Sequence, residues 1–348
     1  MASSALWFGP SERPLFARLH QPAGGVARGA VVLCPPFGLE SWKASRAYQV
    51  LGAQLASEGF AVLHIDYDGT GDSSGTDDDP ERVEAWRRSV SDAVDLMRVG
   101  GARHVSLVGM RLGATLAASV SVDCKPDLLV LWDPCDSGRS YLREQAVLRL
   151  VYEAGDNGPE TSGDAPGRRQ DSPGKVETLG TVYGPETARA MSELTIGAVP
   201  DVLAGRVLAL LRPERAQKRS VLDRLSELGA ELVDAVDQER MLDASYSQLF
   251  MPQGTLDTIV KWLSQNAPTE MLRLRVAAHA IADMRGPKEL VLPKTSSTWG
   301  PTNCSRSSPT QQDNARRLQS SCSMQAPSTT LGQVVCGSTW HALGRRRG

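Results

Sequence analysis

Val105-Ser106-Leu107-Val108-Gly109-Met110-Arg111-Leu112-Gly113-Ala114 decides the fold of this chain. A short apolar, β-branched run stops at a glycine, and after three residues a second glycine opens a run of small and apolar residues. The pattern reads as strand, tight turn and helix. Glycine is wanted at 109 and 113 because so sharp a turn brings backbone too close for side chains. Upstream, Val83, Trp86, Val90, Ala93, Val94 and Met97 mark one helical face that ends at Gly100-Gly101. Before that lie two more apolar runs, 30–34 and 61–65, joined by a helix on which Tyr48, Leu51 and Leu55 recur at helical spacing and Gly59 supplies a left-handed cap. Downstream, 128–132 and 207–211 are further strands and 231–236 a weaker last one. Such alternation predicts an α/β fold: a mostly parallel, doubly wound sheet with helices on both faces and sites at the carboxyl ends of strands.

With 348 residues, 41% of them hydrophobic, the chain can bury one core of this size. The main domain is expected over 1–268, its last helix beginning at Pro252 with Leu256, Ile259, Val260 and Leu263 on one face. Inside it, 139–200 breaks the rhythm: residues 155–175 are dense in Gly, Pro, Asp and Arg, and read as an inserted lid or as an inert surface loop. From 287 to 348 the composition turns to Ser, Thr, Pro, Gln and Arg without apolar period, yet holds Cys304, Cys322, Cys336, Trp299 and Trp340. That stretch reads as a disordered tail or as one read out of frame.

The 38 basic and 40 acidic residues leave a formal charge of −2, which gives no electrostatic reason to expect nucleic acid or an anionic membrane. No apolar run approaches the ~20 residues of a membrane span, and the first residues lack a signal-peptide core. A cytoplasmic location is expected. The six cysteines show no paired CxxC spacing, so neither a metal site nor a disulfide framework is expected, and no cofactor is called for. The run Asp77-Asp78-Asp79 before Pro80 is better explained as N-terminal capping of the next helix than as a cation site.

The turn at Gly109–Gly113 has the form of a nucleophile elbow, G-x-S-x-G, with Arg111 where the serine belongs. The chain resembles the α/β-hydrolase superfamily, in its serine-aminopeptidase and monoacylglycerol-lipase-like branch. Ile65-Asp-Tyr-Asp-Gly-Thr-Gly-Asp-Ser-Ser-Gly75 resembles that branch's loop after the fourth strand, and Cys34-Pro-Pro-Phe-Gly38 stands at its oxyanion loop. More narrowly, Cys34-Pro-Pro-Phe37, Gly109-Met-Arg-Leu-Gly113 and Leu131-Trp-Asp-Pro134 with Ser137-Gly-Arg-Ser-Tyr-Leu142 resemble the exosortase-system-associated hydrolases of the second type. The resemblance covers about 15–265. It implies an α/β-hydrolase fold, ancestral hydrolysis of small-molecule esters or amides, and an oxyanion hole from the backbone N–H groups of Phe37 and Leu112.

The triad itself is degenerate. A guanidinium stays protonated, so Arg111 is no nucleophile. A base is expected near 237–247, but no histidine occurs between His104 and His279. His64, inside an apolar strand, reads as a packed core histidine rather than a base. The carboxylate position falls on Glu214, or alternatively Asp133, either of which also reads as a loop anion or helix cap. Two functions compete: an unconventional ester or amide hydrolase using water held by Glu214 or Asp133, and a non-catalytic protein binding a small ligand or a protein partner. In the second, Arg111 at a helix N-terminus either binds a carboxylate- or phosphate-bearing ligand, or plugs the pocket by pairing with Asp66, Asp133 or Glu40.

Overall fold

The chain was studied as a computed structural model that describes residues 2–156, 175–199, 205–243, 250–276 and 280–283. It opens with an antiparallel pair, β1 (Ala2–Phe8) and β2 (Leu15–Gln21), which the sequence reading does not anticipate. A two-residue β3 (Val26–Ala27) leads into β4 (Gly29–Cys34), then α1 (Gly38–Ser57), β5 (Phe60–Ile65), α2 (Arg82–Val99), β6 (Val105–Met110), α3 (Leu112–Cys124) and β7 (Leu128–Trp132). The segment expected as an insertion follows: α4 (Gly138–Asp156), a small hairpin of β8 (Val176–Thr178) and β9 (Thr181–Tyr183), and α5 (Pro185–Glu193). Most of the Gly- and Pro-rich loop within it lies outside the described residues. The regular order resumes with β10 (Arg206–Leu211), α6 (Arg219–Glu227), β11 (Glu231–Asp234), α7 (Gln238–Asp243) and α8 (Gln253–Asn266).

The chain continues past 268 with β12 (Leu272–Arg273), paired to β3, and β13 (Ala280–Asp283), paired to β1. Neither is long enough to carry a hydrophobic period; pairing, not pattern, makes them strands. The expected tail, 287–348, lies outside the described residues.

One nine-stranded sheet runs β11-β10-β7-β6-β4-β5-β2-β1-β13. From β11 to β5 all pairings are parallel; β5–β2, β2–β1 and β1–β13 are antiparallel. All six strands expected from the sequence are present and side by side. In all of them except the exposed edge strand β11, side chains alternate between two cores, as the two-residue period of a strand requires. Val32 and Cys34 face the layer that holds Trp86, Val90, Met97 and Leu116 of α2 and α3. Val31 and Leu33 face the layer of Tyr48, Leu51 and Leu55 of α1 and Leu256, Ile259 and Leu263 of α8.

Two expected details come out differently. Asp77–Asp79 do not cap α2: its N-cap is Glu81, at φ 53° and without a side-chain cap bond, while Asp79 binds Arg13 and Thr76. Cation pairing outcompetes the cap because Arg13 and the buried Arg82 need a carboxylate nearby. Among the described residues no helix is long and apolar enough to cross a membrane, and no group of three or more His, Cys, Asp and Glu side chains is placed to hold a metal ion.

Candidate active site and its replacement

β4 pairs with β5 on one side and β6 on the other, so the strand order reverses there and the carboxyl ends of β4 and β6 open a crevice between them. Cys34 is in register with Gly109, which sets the loops carrying Phe37 and Arg111 next to each other. A Cβ on Gly113 would lie 2.2 Å from the carbonyl oxygen of Pro35, and one on Gly109 2.6 Å from the Cα of Ala114. Both glycines are therefore dictated by close backbone approach.

Between them Arg111 has φ 55° and ψ −124°, a conformation sparsely allowed for any residue with a Cβ. Its N–H donates to the carbonyl of Trp132 at 2.9 Å, and α3 begins at Leu112. This is the strained strand-to-helix turn of a nucleophile elbow, kept intact around a residue that cannot attack anything. Such strain costs ~1–3 kcal/mol and persists only where the surroundings over-determine it. Asp133 and Asp237 also have positive φ, 47° and 66°, so strained backbone gathers around this crevice.

The guanidinium of Arg111 is only 1% exposed, and it is surrounded by acids. Nε donates to Glu40 Oε1 at 3.0 Å, Nη1 to Asp133 Oδ2 at 3.3 Å, and Nη2 lies 2.9 Å from Glu144 Oε1. The acids come from three elements: Glu40 from the first turn of α1, Asp133 from the end of β7, and Glu144 from α4. Each is held in turn. Glu40 Oε1 also accepts from Gln145 at 3.0 Å; Asp133 Oδ2 accepts from Gln238 Nε2 at 2.8 Å and lies 2.8 Å from Arg212 Nε; Glu144 takes both Nη atoms of Arg215, at 3.0 and 2.8 Å. Burial opposes the charge on Arg111, but Glu40, Asp133 and Glu144 outweigh it and raise its pKa further. Burial pushes Glu40 upward, against the pull of Arg111. It acts on Glu144 in the same direction, yet Arg111 and Arg215 hold that carboxyl below its usual range.

Of the residues singled out in the sequence, Arg111 and Asp133 meet, with Glu40 as the further acid; Asp66 takes no part and accepts instead from the backbone of Asp72. Glu214 is exposed in the turn after β10, between Arg212 and Arg215, which pair with Asp133 and Glu144. Phe37 is buried, stacked on Tyr67 with ring centroids 4.8 Å apart, and its carbonyl accepts from Tyr141. His104 sits at the amino end of β6, 3.6 Å from Asp127 and across the sheet from the crevice. His64 packs its ring at a tilt against Tyr48, centroids 5.1 Å apart, and burial pushes it down to about 3, so it is a neutral packing residue. His279 lies outside the described residues.

The sequence reading missed Gln238. It is completely buried just after β11, where a triad histidine is expected, and it bonds the same Asp133 that an orienting carboxylate would offer that histidine. Its only signal was its place in the window 237–247. Arg111, Asp133 and Gln238 thus form one buried, hydrogen-bonded set after the carboxyl ends of β6, β7 and β11. Cys135, whose N–H contacts the carbonyl of Arg111 at 3.4 Å, supplies no substitute nucleophile: burial pushes its thiol up to about 12.

Residues 25–154 match the family model described as "Serine aminopeptidase, S33". No curated protein matches the sequence. Among solved structures the chain is similar to Est1E from Butyrivibrio proteoclasticus, at 12% identity and a TM-score of 0.55, over 76% of this chain and 98% of that one. With ferulic acid bound, Est1E gives 14% and 0.53 over 75% and 98%. The esterase Pf2001 of Pyrococcus furiosus gives 13% and 0.50 over 76% and 91%. At such identities the likeness is one of fold. Sheet order, the crevice at the β4/β6 switch and the retained elbow agree with it: this chain has the α/β-hydrolase fold.

Proposed function

We propose that this chain is a non-catalytic α/β-hydrolase-fold protein that binds a small molecule without turning it over. The observation that carries the reading is Arg111 itself: it fills the elbow, and Glu40, Asp133 and Glu144 take up its three nitrogens. Ester or amide hydrolysis needs a nucleophile, a proton acceptor and an oxyanion site. Phe37 and Leu112 offer backbone N–H groups for the last; the first two are absent from the cluster. Asp133 is a poor water-activating base because Arg111, Arg212 and Gln238 all converge on one of its oxygens. Glu214 is exposed in its turn. For the same reason Arg111 is spent as a ligand for anions: the plug supports the pairing alternative over anion capture at this residue.

The test is hydrolysis of p-nitrophenyl esters, thioesters and aminoacyl amides by the full chain, with a fluorophosphonate probe in parallel. No turnover and no labelling are expected. Turnover that disappears in Asp133→Asn or Glu214→Gln would instead establish the unconventional hydrolase. The narrower resemblance around Cys34–Phe37 and Gly109–Gly113 supports a place beside an exosortase system; a gene neighbourhood without exosortase components would remove that part.

A further inference from the structure

We infer that the cavity between α1 and α4 is a binding site for a short amphiphilic carboxylate, its head taken by Lys43 and its body laid against Leu39, Leu148 and Leu242. The inference rests on the reading of the chain as a binder and names the ligand class.

The cavity has a volume of about 240 Å³ and lies beside the Arg111 cluster, sharing Glu40, Glu144 and Arg212 with it. Lys43 lines it and is only 7% exposed. A lysine ammonium carries three donors. One goes to the carbonyl of Leu242, and Lys43 forms no ion pair with any described carboxylate. A buried ammonium without a counter-ion is expensive unless something pairs with it. A second polar group at the same cavity is also incomplete: Glu40 Oε2 is buried and has no hydrogen-bond partner among the described residues.

Charge selects the ligand's sign. Around the cavity and the adjoining cluster stand Lys43, Arg111, Arg212 and Arg215 against Glu40, Asp133 and Glu144, an excess of one cation with every group ionised. Burial disfavours the ionised form of Glu40 against the pull of Arg111, a shift that works in the same direction as that excess. A carboxylate seated here accepts from Lys43 Nζ and supplies the counter-ion that no described carboxylate gives it. An ammonium head would meet Lys43 as a like charge. The apolar walls set the rest. The volume falls below the ~300–1,000 Å³ of pockets for drug-sized ligands, so a short acyl chain fits and a long lipid tail does not. Val151, an exposed apolar side chain on α4, stands at the rim.

The experiment is calorimetric titration of the full chain with hexanoate, hexanol and hexylamine, three probes that share a body and differ in the head. Hexanoate is expected to bind saturably and the other two at least ~tenfold more weakly, the worth of one charge-assisted hydrogen bond. Lys43→Met is expected to remove the preference for hexanoate while the circular dichroism spectrum stays unchanged. Should that variant fail to fold, Leu148→Trp, which fills the cavity from α4, is expected to abolish binding of all three. Equal affinity for the three heads, hexanoate binding unaltered in Lys43→Met or in Leu148→Trp, or no saturable binding at millimolar probe overturns the site. Ethyl hexanoate incubated with the same preparation keeps the two readings apart: its hydrolysis would overturn the non-catalytic reading and leave the site standing.

Discussion

Arg111 combines two costs that only its neighbours offset: a backbone conformation that disfavours any Cβ, and a charge taken out of water. Removing the guanidinium leaves Glu40 and Asp133 buried beside each other's charge with one cation fewer. Arg111→Met is therefore expected to destabilise the fold by about 3–5 kcal/mol, read as a lowered urea midpoint at unchanged slope. The same corner offers a sharper test. Because the elbow is intact and Gln238 already bonds Asp133, the double variant Arg111→Ser, Gln238→His should assemble a working serine, base and orienting carboxylate. It is expected to hydrolyse p-nitrophenyl acetate at least ~10²-fold faster than either single variant. Activity in Arg111→Ser alone would mean that some other residue serves as base and that the glutamine is not the missing corner.

At the scale of elements, α4 is the piece of the inserted segment that belongs to the site, since Tyr141, Glu144 and Gln145 all reach inward from it. Glu144 ties α4 to Arg111 and to Arg215 beyond β10. Those two arginines hold its carboxyl below the ordinary value, so the contact stabilises above that value and is lost as the pH falls through the folded one. Glu144→Gln is expected to speed amide hydrogen exchange in α4 while leaving β6 and β7 protected; equal protection throughout would mean that the tie adds nothing. What the sequence made legible follows the same physics. Five of the six parallel strands were readable because burial on both faces writes a continuous apolar run, whereas β11, exposed along its length, gave the weaker signal; the elbow was readable because two glycines are forced by atoms 2.2 and 2.6 Å away. β1 and β2 were not, since an antiparallel pair at the sheet's far side needs no such run. Gln238 was invisible because a glutamine has no pattern of its own; only the partner that a fold brings to it gives it meaning. The acid partners Glu40 and Asp133 could be named as candidates, whereas Glu144 could not, because nothing in the sequence fixes which face of an inserted helix turns inward.

Over the whole molecule, the response to acid is set by groups buried without a charge to pair with. His20 on β2 is 8% exposed, its Nε2 has no hydrogen-bond partner among the described residues, and burial lowers it from an ordinary 6.5 to about 4. His64 on the neighbouring β5 falls to about 3 for the same reason. Below pH 6.5 the unfolded chain takes up protons that these folded imidazoles refuse, so both contribute stability that is lost as the pH falls towards 4. Asp66 opposes them. Burial raises it from 3.8 to about 6, so between those values the folded state holds the extra proton and acidification favours folding through this group. Among these three groups, two histidines against one aspartate leave a net loss of stability from pH 6.5 down to 4, expected as a falling urea midpoint. His20→Gln, which keeps a polar group of similar length and removes the titration, is expected to flatten that fall while Asp66→Asn steepens it. Flattening in both variants would assign the acid response to groups elsewhere, and the Arg111 cluster, with its three carboxylates, would be the next place to look.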